Sequence, residues 1–365
     1  MQKLFFIIIF FLISKFIFNK LVDQLKNSSY NRKIVKNFDY LFLFRPTLFF
    51  VVWLMICIGF YLFHLYAGEN QSLQWIINFN INSFEFYRSI FLFIGITLIS
   101  GSTFITNQIS DKSSDKVNNK LFLINKYVKE VEAIKIRNVG YYIGFSCLIL
   151  TLNIYNVILG YLIYLFWDKI YNVEPYGWKK HPLLGPICNF IVSLFLILSG
   201  YIFCTTENII FVNLDFFNIS LLINLLGYLM CYLSVTLLTD IPDIQGDKEN
   251  KKNTFTIVFG YNLTLIISTI CVVIAFCLGV YLSDPLLSIS SIVSLPFFLF
   301  AMLRKLEKDI LRAIRYPVFI LNFFTMLVFP LLIIGLIVIY YFSKYYYWHR
   351  FDIHYPTFIV DSNKK

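Results

Sequence analysis

Charge is scarce in this chain. Asp, Glu, Lys and Arg make up 14% of its 365 residues, against about 25% in an ordinary soluble domain. Acidic side chains are the rarer sign, 21 against 31 basic ones. There are four histidines, and none has metal-ligand spacing. No polar stretch is long enough to build a core; the longest, 107–135, is a loop. No Gly-rich phosphate loop and no serine-nucleophile motif stands out. These absences exclude an ordinary soluble enzyme and a disordered protein. The seven cysteines (Cys57, Cys147, Cys188, Cys204, Cys231, Cys271 and Cys277) all lie in apolar runs without a CxxC pair. They read as free thiols, not as a disulfide framework or a metal cluster.

What is abundant is apolar side chain. Hydrophobic residues reach 58%, and mean hydropathy is +0.71. One core could not bury that much, so the class is all-α, a polytopic membrane protein. Nine spanning helices are expected, at roughly 41–66, 84–106, 136–153, 154–171, 183–204, 214–239, 260–282, 286–303 and 316–342. The third and fourth are read as a hairpin broken at Asn153 and Asn156. The chain divides into a targeting or interfacial segment (1–40), a nine-helix domain (41–342) and a tail (343–365). Leu4–Phe18 is too short and too interrupted by Lys15 for a span, and reads as an interfacial or anchor helix. No internal repeat is evident.

The basic residues fix the orientation. Lys and Arg gather in or beside the loops after spans two, four, six and eight, and the loops after spans one, three, five and seven hold none. The positive-inside rule turns that face toward the cytoplasm, or the stroma or matrix of an organelle. The net charge of +10 is therefore mostly topology, with no nucleic-acid signal. The Tyr345–Trp348 aromatic run after the last span reads as an interfacial belt.

Two groups of carboxylates sit at span ends on that basic face, where a carboxylate near hydrocarbon is costly. Asn107-Gln-Ile-Ser-Asp111-Lys-Ser-Ser-Asp115 places three oxygen-bearing side chains at helical spacing, within about 80° on one face. Asp240-Ile-Pro-Asp243-Ile-Gln-Gly-Asp247-Lys248 is broken by Pro242 and Gly246, so its carboxylates belong to a turn. Taken singly, either is equally a solvated helix end. Together, on one face of one bundle, they are arranged to hold two Mg²⁺ ions around a diphosphate. Lys179 and Lys180, entering span five on the same side, could neutralise its oxygens, and Arg45-Pro46 opens span one there. The metals and cations would stabilise a leaving diphosphate, and an apolar bundle would shield the allylic cation left behind.

With these residues, the chain resembles the UbiA-type membrane prenyltransferase superfamily, and most of all its homogentisate prenyltransferase branch. NQISDKSSDKVN (107–118) is similar to that branch's NQxxDxxxDKVN, and DIPDIQGDK (240–248) to its DIPDxxGDK. PYGWKKHPLL (175–184), LFRPT (43–47) and Thr254 to Gly260 resemble further segments, so the likeness covers about 40–342. It implies nine helices around a central cavity, two Mg²⁺ ions, an isoprenoid diphosphate donor and a small aromatic acceptor, homogentisate for this branch. By the same resemblance Asn107, Asp111 and Asp115 would hold one Mg²⁺ and Asp243 and Asp247 the other. Asp240, Lys248, Lys179, Lys180, Tyr176 and Arg45 would bind or position the diphosphate. Two places depart from the branch: 119–129 lacks its Pro-rich segment, and Thr239 stands where it often has Lys. Other readings kept open are a terpene cyclase of the superfamily, a 4-hydroxybenzoate-like acceptor and an ion transporter with acidic gates.

Overall fold

The structure, a computed structural model, describes residues 34–67, 84–118, 120–121, 123–205 and 219–357. The apolar Leu4–Phe18 segment lies outside the described residues. Regular structure among the described residues is helical, with one isolated bridge between Ile124 and Val128. A short turn, α1 (Asp39–Phe42), leads into α2 (Phe49–Ala67). Then come α3 (Phe84–Ser110), the six-residue α4 (Lys112–Val117), α5 (Glu130–Leu150) and α6 (Ile154–Ile163). The fourth span continues from α6 as a π turn over Tyr164–Ile170. The chain goes on through α7 (Leu184–Thr205), α8 (Ile219–Thr239), the short α9 (Ile244–Glu249) and α10 (Phe255–Phe259). It ends with α11 (Tyr261–Tyr281), α12 (Pro285–Arg304), α13 (Glu307–Val328) and α14 (Leu331–Phe351).

Eight of these helices are long and apolar enough to cross a membrane. The hairpin expected around Asn153 separates α5 from α6, the third and fourth spans. Leu152 turns the chain in the left-handed region, and the Asn153 side chain accepts from the N–H groups of Tyr155 and Asn156, capping α6. The difference from the expected nine has two parts: α5 and α6 are not among the eight, and the C-terminal end supplies one helix more. The stretch 316–342 is not one helix: it belongs to α13 and α14, which part at Phe329-Pro330. Proline has no N–H to continue the first helix, and starts the second. The added crossing brings the end of the chain back to the basic face. There Arg350 grips Asp39 through both carboxylate oxygens, at 2.9 and 3.0 Å, and Tyr346 donates to the same group at 2.7 Å while stacking on Phe42. Tyr346 is thus fully buried, so the aromatic run around it is not simply an interfacial belt. Its register on α14 turns it onto α1, which composition does not reveal.

The main core runs through the middle of the bundle, with Phe60, Leu92, Leu148, Leu196, Tyr228 and Leu287 among its fully enclosed side chains. Beside it lies an open cavity of about 790 Å³, walled by apolar side chains such as Leu54, Phe104, Leu196, Val272, Phe298 and Leu321. The far helix α14 adds Leu336 and Tyr340 to that wall. At the basic end the cavity meets polar residues: Arg45, Asn107, Asn172 and Thr239.

Candidate functional site

Both long helices that end at the acidic motifs end the same way. After Ser110, Asp111 leaves helical geometry (φ −96°, ψ 7°), and the chain resumes as α4. After Thr239 and the Pro242 turn, Asp243 takes nearly the same conformation (φ −98°, ψ −2°), and the chain resumes as α9. Asp115 N–H donates to Asp111 O at 2.8 Å, as Asp247 N–H does to Asp243 O at 3.0 Å. Lys120 N–H donates to Asp115 O, and Lys252 N–H to Asp247 O. The sequence shows the same register once aligned on these bonds: Ile109 with Ile241, Asp111 with Asp243, Asp115 with Asp247, Lys116 with Lys248, Asn118 with Asn250, Lys120 with Lys252. A short internal repeat is therefore present where none was expected. Only six identities within one loop carry it, and the flanking spans dilute them with generic apolar residues.

The two copies dock on each other. Asn118 accepts from Gly246 N–H at 2.8 Å, and its amide reaches Asp243 O. A Cβ on Gly246 would lie 2.5 Å from Ser114 O, so only glycine permits this approach. The carboxylates are bridged by ammonium groups. Lys179 and Lys252 both contact Asp111 Oδ1 at 2.7 Å, and Lys252 also reaches Asp247 at 2.9 Å. Lys120 reaches Asp243 at 2.6 Å and Asp115 at 3.5 Å. Arg45, held in the left-handed region at the start of span one, lies 3.8 Å from Asp115. Lys179 is further held by Ser110 and by Asn172, at the end of the π-turned span. A backbone bond from Asn253 N–H to Lys180 O (3.0 Å) ties this loop to the second motif.

The electrostatics follow from crowding. Burial alone would raise the Asp111 carboxyl, but Lys179 and Lys252 hold it below its usual range. Burial lowers Lys179 despite its contact with Asp111. Lys252 is also buried, yet Asp111 and Asp247 raise it. Asp240 is different. Burial, with the charges of Asp247 and Asp243 beside it, pushes its carboxyl up to about 7 from 3.8. Asp243 is raised too, first by burial, with Lys120 opposing.

Asp240 binds its proton more tightly folded than unfolded, so the folded state holds more protons between those two values. Stability without divalent cations should therefore fall as pH rises from about 4 to about 7. Added Mg²⁺ should flatten that slope, because a cation favours the ionised form. Thermal unfolding of the purified protein across pH, with EDTA or with Mg²⁺, measures this. A slope of the opposite sign in EDTA would contradict the assignment.

Most of the residues expected at the site are gathered. Asn107, one turn before Asp111, faces the cavity. Arg45 also lines it, and Asp111, Asp115, Asp240, Asp243, Asp247 and Lys179 cluster just beyond its polar rim. Three are not drawn in. Tyr176 is exposed, Lys180 turns its side chain to Glu174, and Lys248 is exposed on α9. Three contributors went unanticipated: Lys120, Lys252 and Asn118. Their positions in the repeat were the available signal.

Among the described residues no group of three or more Asp, Glu, His or Cys side chains converges as a ready metal site. The donor set nevertheless suits a hard divalent cation, being carboxylate and amide oxygen throughout. Asp243 Oδ1 is buried without a hydrogen-bond partner, and Asp240 is crowded by like charge. Both are groups that a cation would satisfy.

The model of the UbiA prenyltransferase family matches residues 75–324, which include both motifs and the Lys179 loop. The chain belongs to this family. The UbiA fold is also what it shares with solved structures. It is similar to digeranylgeranylglyceryl phosphate synthase at 21% identity and a TM-score of 0.53, over 83% of this chain and 99% of that one. A UbiA homologue from Archaeoglobus fulgidus bound to GPP and Mg²⁺ matches at 15% identity and a TM-score of 0.57, over 80% of this chain and 99% of that one. An apo UbiA homologue from Aeropyrum pernix K1 matches at 16% identity and 0.55, over 80% and 96%. No curated protein matches the chain. Helix α14 lies beyond the part that the UbiA family model covers.

Proposed function

We propose that this UbiA-family protein is an intramembrane aromatic prenyltransferase that moves a prenyl chain from its diphosphate to a small aromatic ring, homogentisate above others. The observation that carries the reading is the facing pair of aspartate motifs at the polar rim of a long apolar cavity. The donor class is supported by the solved homologue that holds GPP and Mg²⁺. The acceptor rests on the NQxxDxxxDKVN and DIPDxxGDK likeness.

In this reading Asn107, Asp111 and Asp115 hold one Mg²⁺, and Asp243 and Asp247, with Asp240 beside them, the other. Bound there, the ions would neutralise the diphosphate and stabilise the charge that grows on it as its C–O bond breaks. Lys179, anchored by Ser110 and Asn172, and Arg45 supply fixed positive charge beside the motifs. The apolar cavity takes the prenyl chain and keeps water from the allylic cation. Trp167 and Tyr171 line the cavity, where aromatic faces can stabilise that cation. The active face is the basic one, toward the cytoplasm or its organellar equivalent.

The test is to incubate membranes holding the protein with Mg²⁺, homogentisate and prenyl diphosphates of several lengths, and to identify lipophilic products by mass spectrometry. A prenylated, decarboxylated quinol, absent without Mg²⁺, is the expected product. Diphosphate release without a homogentisate product would overturn the acceptor and point to another ring or to cyclisation. No release with any donor would overturn the prenyl-transfer reading.

A further inference from the structure

The repeat places two lysines in equivalent positions, and their side chains cross. Lys120 follows the first motif, yet its Nζ lies nearest the second, 2.6 Å from Asp243 and 3.5 Å from Asp115. Lys252 follows the second motif, yet its Nζ lies 2.7 Å from Asp111 of the first and 2.9 Å from its own Asp247. Each ammonium thus sits between one carboxylate of each motif. That is the place where a positive charge best offsets the repulsion of two aspartate clusters forced together by the Asn118–Gly246 contact. The backbone prepares both. Each lysine N–H is fixed on the carbonyl of its motif's last aspartate, so both stems start from the same geometry. Lys252 is buried at 8% exposure, too enclosed to be a solvated surface charge.

We propose that Lys120 and Lys252 are built-in counter-cations: they close the two motifs on each other when no divalent cation is bound, and divalent cations entering between the motifs must displace them. They act as positioning residues through the aspartates. The inference rests on the two-motif cation site proposed above. Its consequence is competition. Each lysine keeps the empty site assembled and, by the same charge, weakens cation binding.

Two measurements on the full-length protein in detergent test it. The first is Mn²⁺ binding, read by the loss of the free-ion electron paramagnetic resonance signal, in wild type and in the double variant Lys120→Met/Lys252→Met. Removing two competing charges should tighten Mn²⁺ binding at least about tenfold, while the variant unfolds at a lower temperature than wild type in EDTA and recovers with Mn²⁺. Unchanged or weaker binding in the variant would overturn the proposal. No Mn²⁺ binding by wild type or variant would instead overturn the cation site itself. The second needs no substitution, so it decides the matter even if the double variant does not fold. Amine acetylation of the wild type, mapped by mass spectrometry, should be faster at Lys120 and Lys252 with Mn²⁺ than in EDTA, with exposed Lys248 as the internal reference. Equal or slower labelling with bound Mn²⁺ would overturn the displacement.

Discussion

Asp243→Asn should lower prenyl-transfer turnover at least about 10³-fold while leaving the bundle folded, whereas Asp111→Ala should lose both turnover and stability. The sequence treats these aspartates as equivalents, each four residues before the last aspartate of its motif. The surroundings separate them. Asp243 pairs with Lys120, whose side chain is 42% exposed, and an ion pair that water reaches contributes about 1 kcal/mol or less. Asparagine keeps its shape, so the loss falls mainly on cation binding. Asp111 is the shared partner of Lys179 and Lys252, whose side chains are only 5% and 9% exposed. Removing it leaves buried Lys179 without its carboxylate, beside a Lys252 that keeps only Asp247. Truncating one partner of a buried pair costs about 3–5 kcal/mol. Turnover of purified variants, together with their unfolding temperatures in detergent, distinguishes the two effects. Near-normal turnover in Asp243→Asn would sink the two-cation assignment. An unfolding temperature for Asp111→Ala equal to that of Asp243→Asn would sink the claim that Asp111 also holds the fold.

Gly200→Leu and Gly59→Leu should prevent a folded bundle from accumulating at all. The helices α2 and α7 touch backbone to backbone at these two positions. A Cβ on Gly200 would fall 2.1 Å from Ile56 O, and one on Gly59 would fall 2.1 Å from Ile197 O. No rotamer relieves such an overlap, because the first side-chain carbon collides with main chain. The helices must separate, and the lost contacts are the dispersion contacts that drive association where lipid is as apolar as the core. Adding methylenes to a packed site typically costs about 1–3 kcal/mol, and more where backbone must move. The damage reaches the site, since α2 and α7 carry Leu54 and Leu196 into the cavity wall. Size-exclusion profiles of detergent extracts, compared with wild type, test this. A monodisperse Gly200→Leu protein with an unchanged unfolding temperature would show that the close approach is not needed.

The legible part of the site was the part carried by residue type. Carboxylates at helical spacing near hydrocarbon are rare enough to be noticed, and Asn107, Asp111, Asp115, Asp240, Asp243 and Asp247 could be named from the chain alone. The lysines were read less well. Lys179 and Lys180 are neighbours of one chemical type, and only the turn after Gly177 decides that Lys179 is buried on Asp111 while Lys180 turns away to Glu174. Lys120 and Lys252 looked like ordinary positive charge on the inner face, because the same residue type serves both topology and pairing.

The sequence by itself determined the class of the molecule. Hydropathy, the one-sided placement of Lys and Arg and the two acidic motifs each follow from composition and local spacing, and they point to an all-helical membrane bundle with both motifs at span ends among the basic loops. The tertiary structure decided what depends on contact between distant segments. It divided the last apolar stretch at Pro330 and returned α14 to Asp39. It closed α2 on α7 through two glycines, and it crossed each motif's lysine onto the other motif's aspartate. No local pattern encodes those outcomes, because each is set by the side chain or backbone that another part of the chain brings alongside.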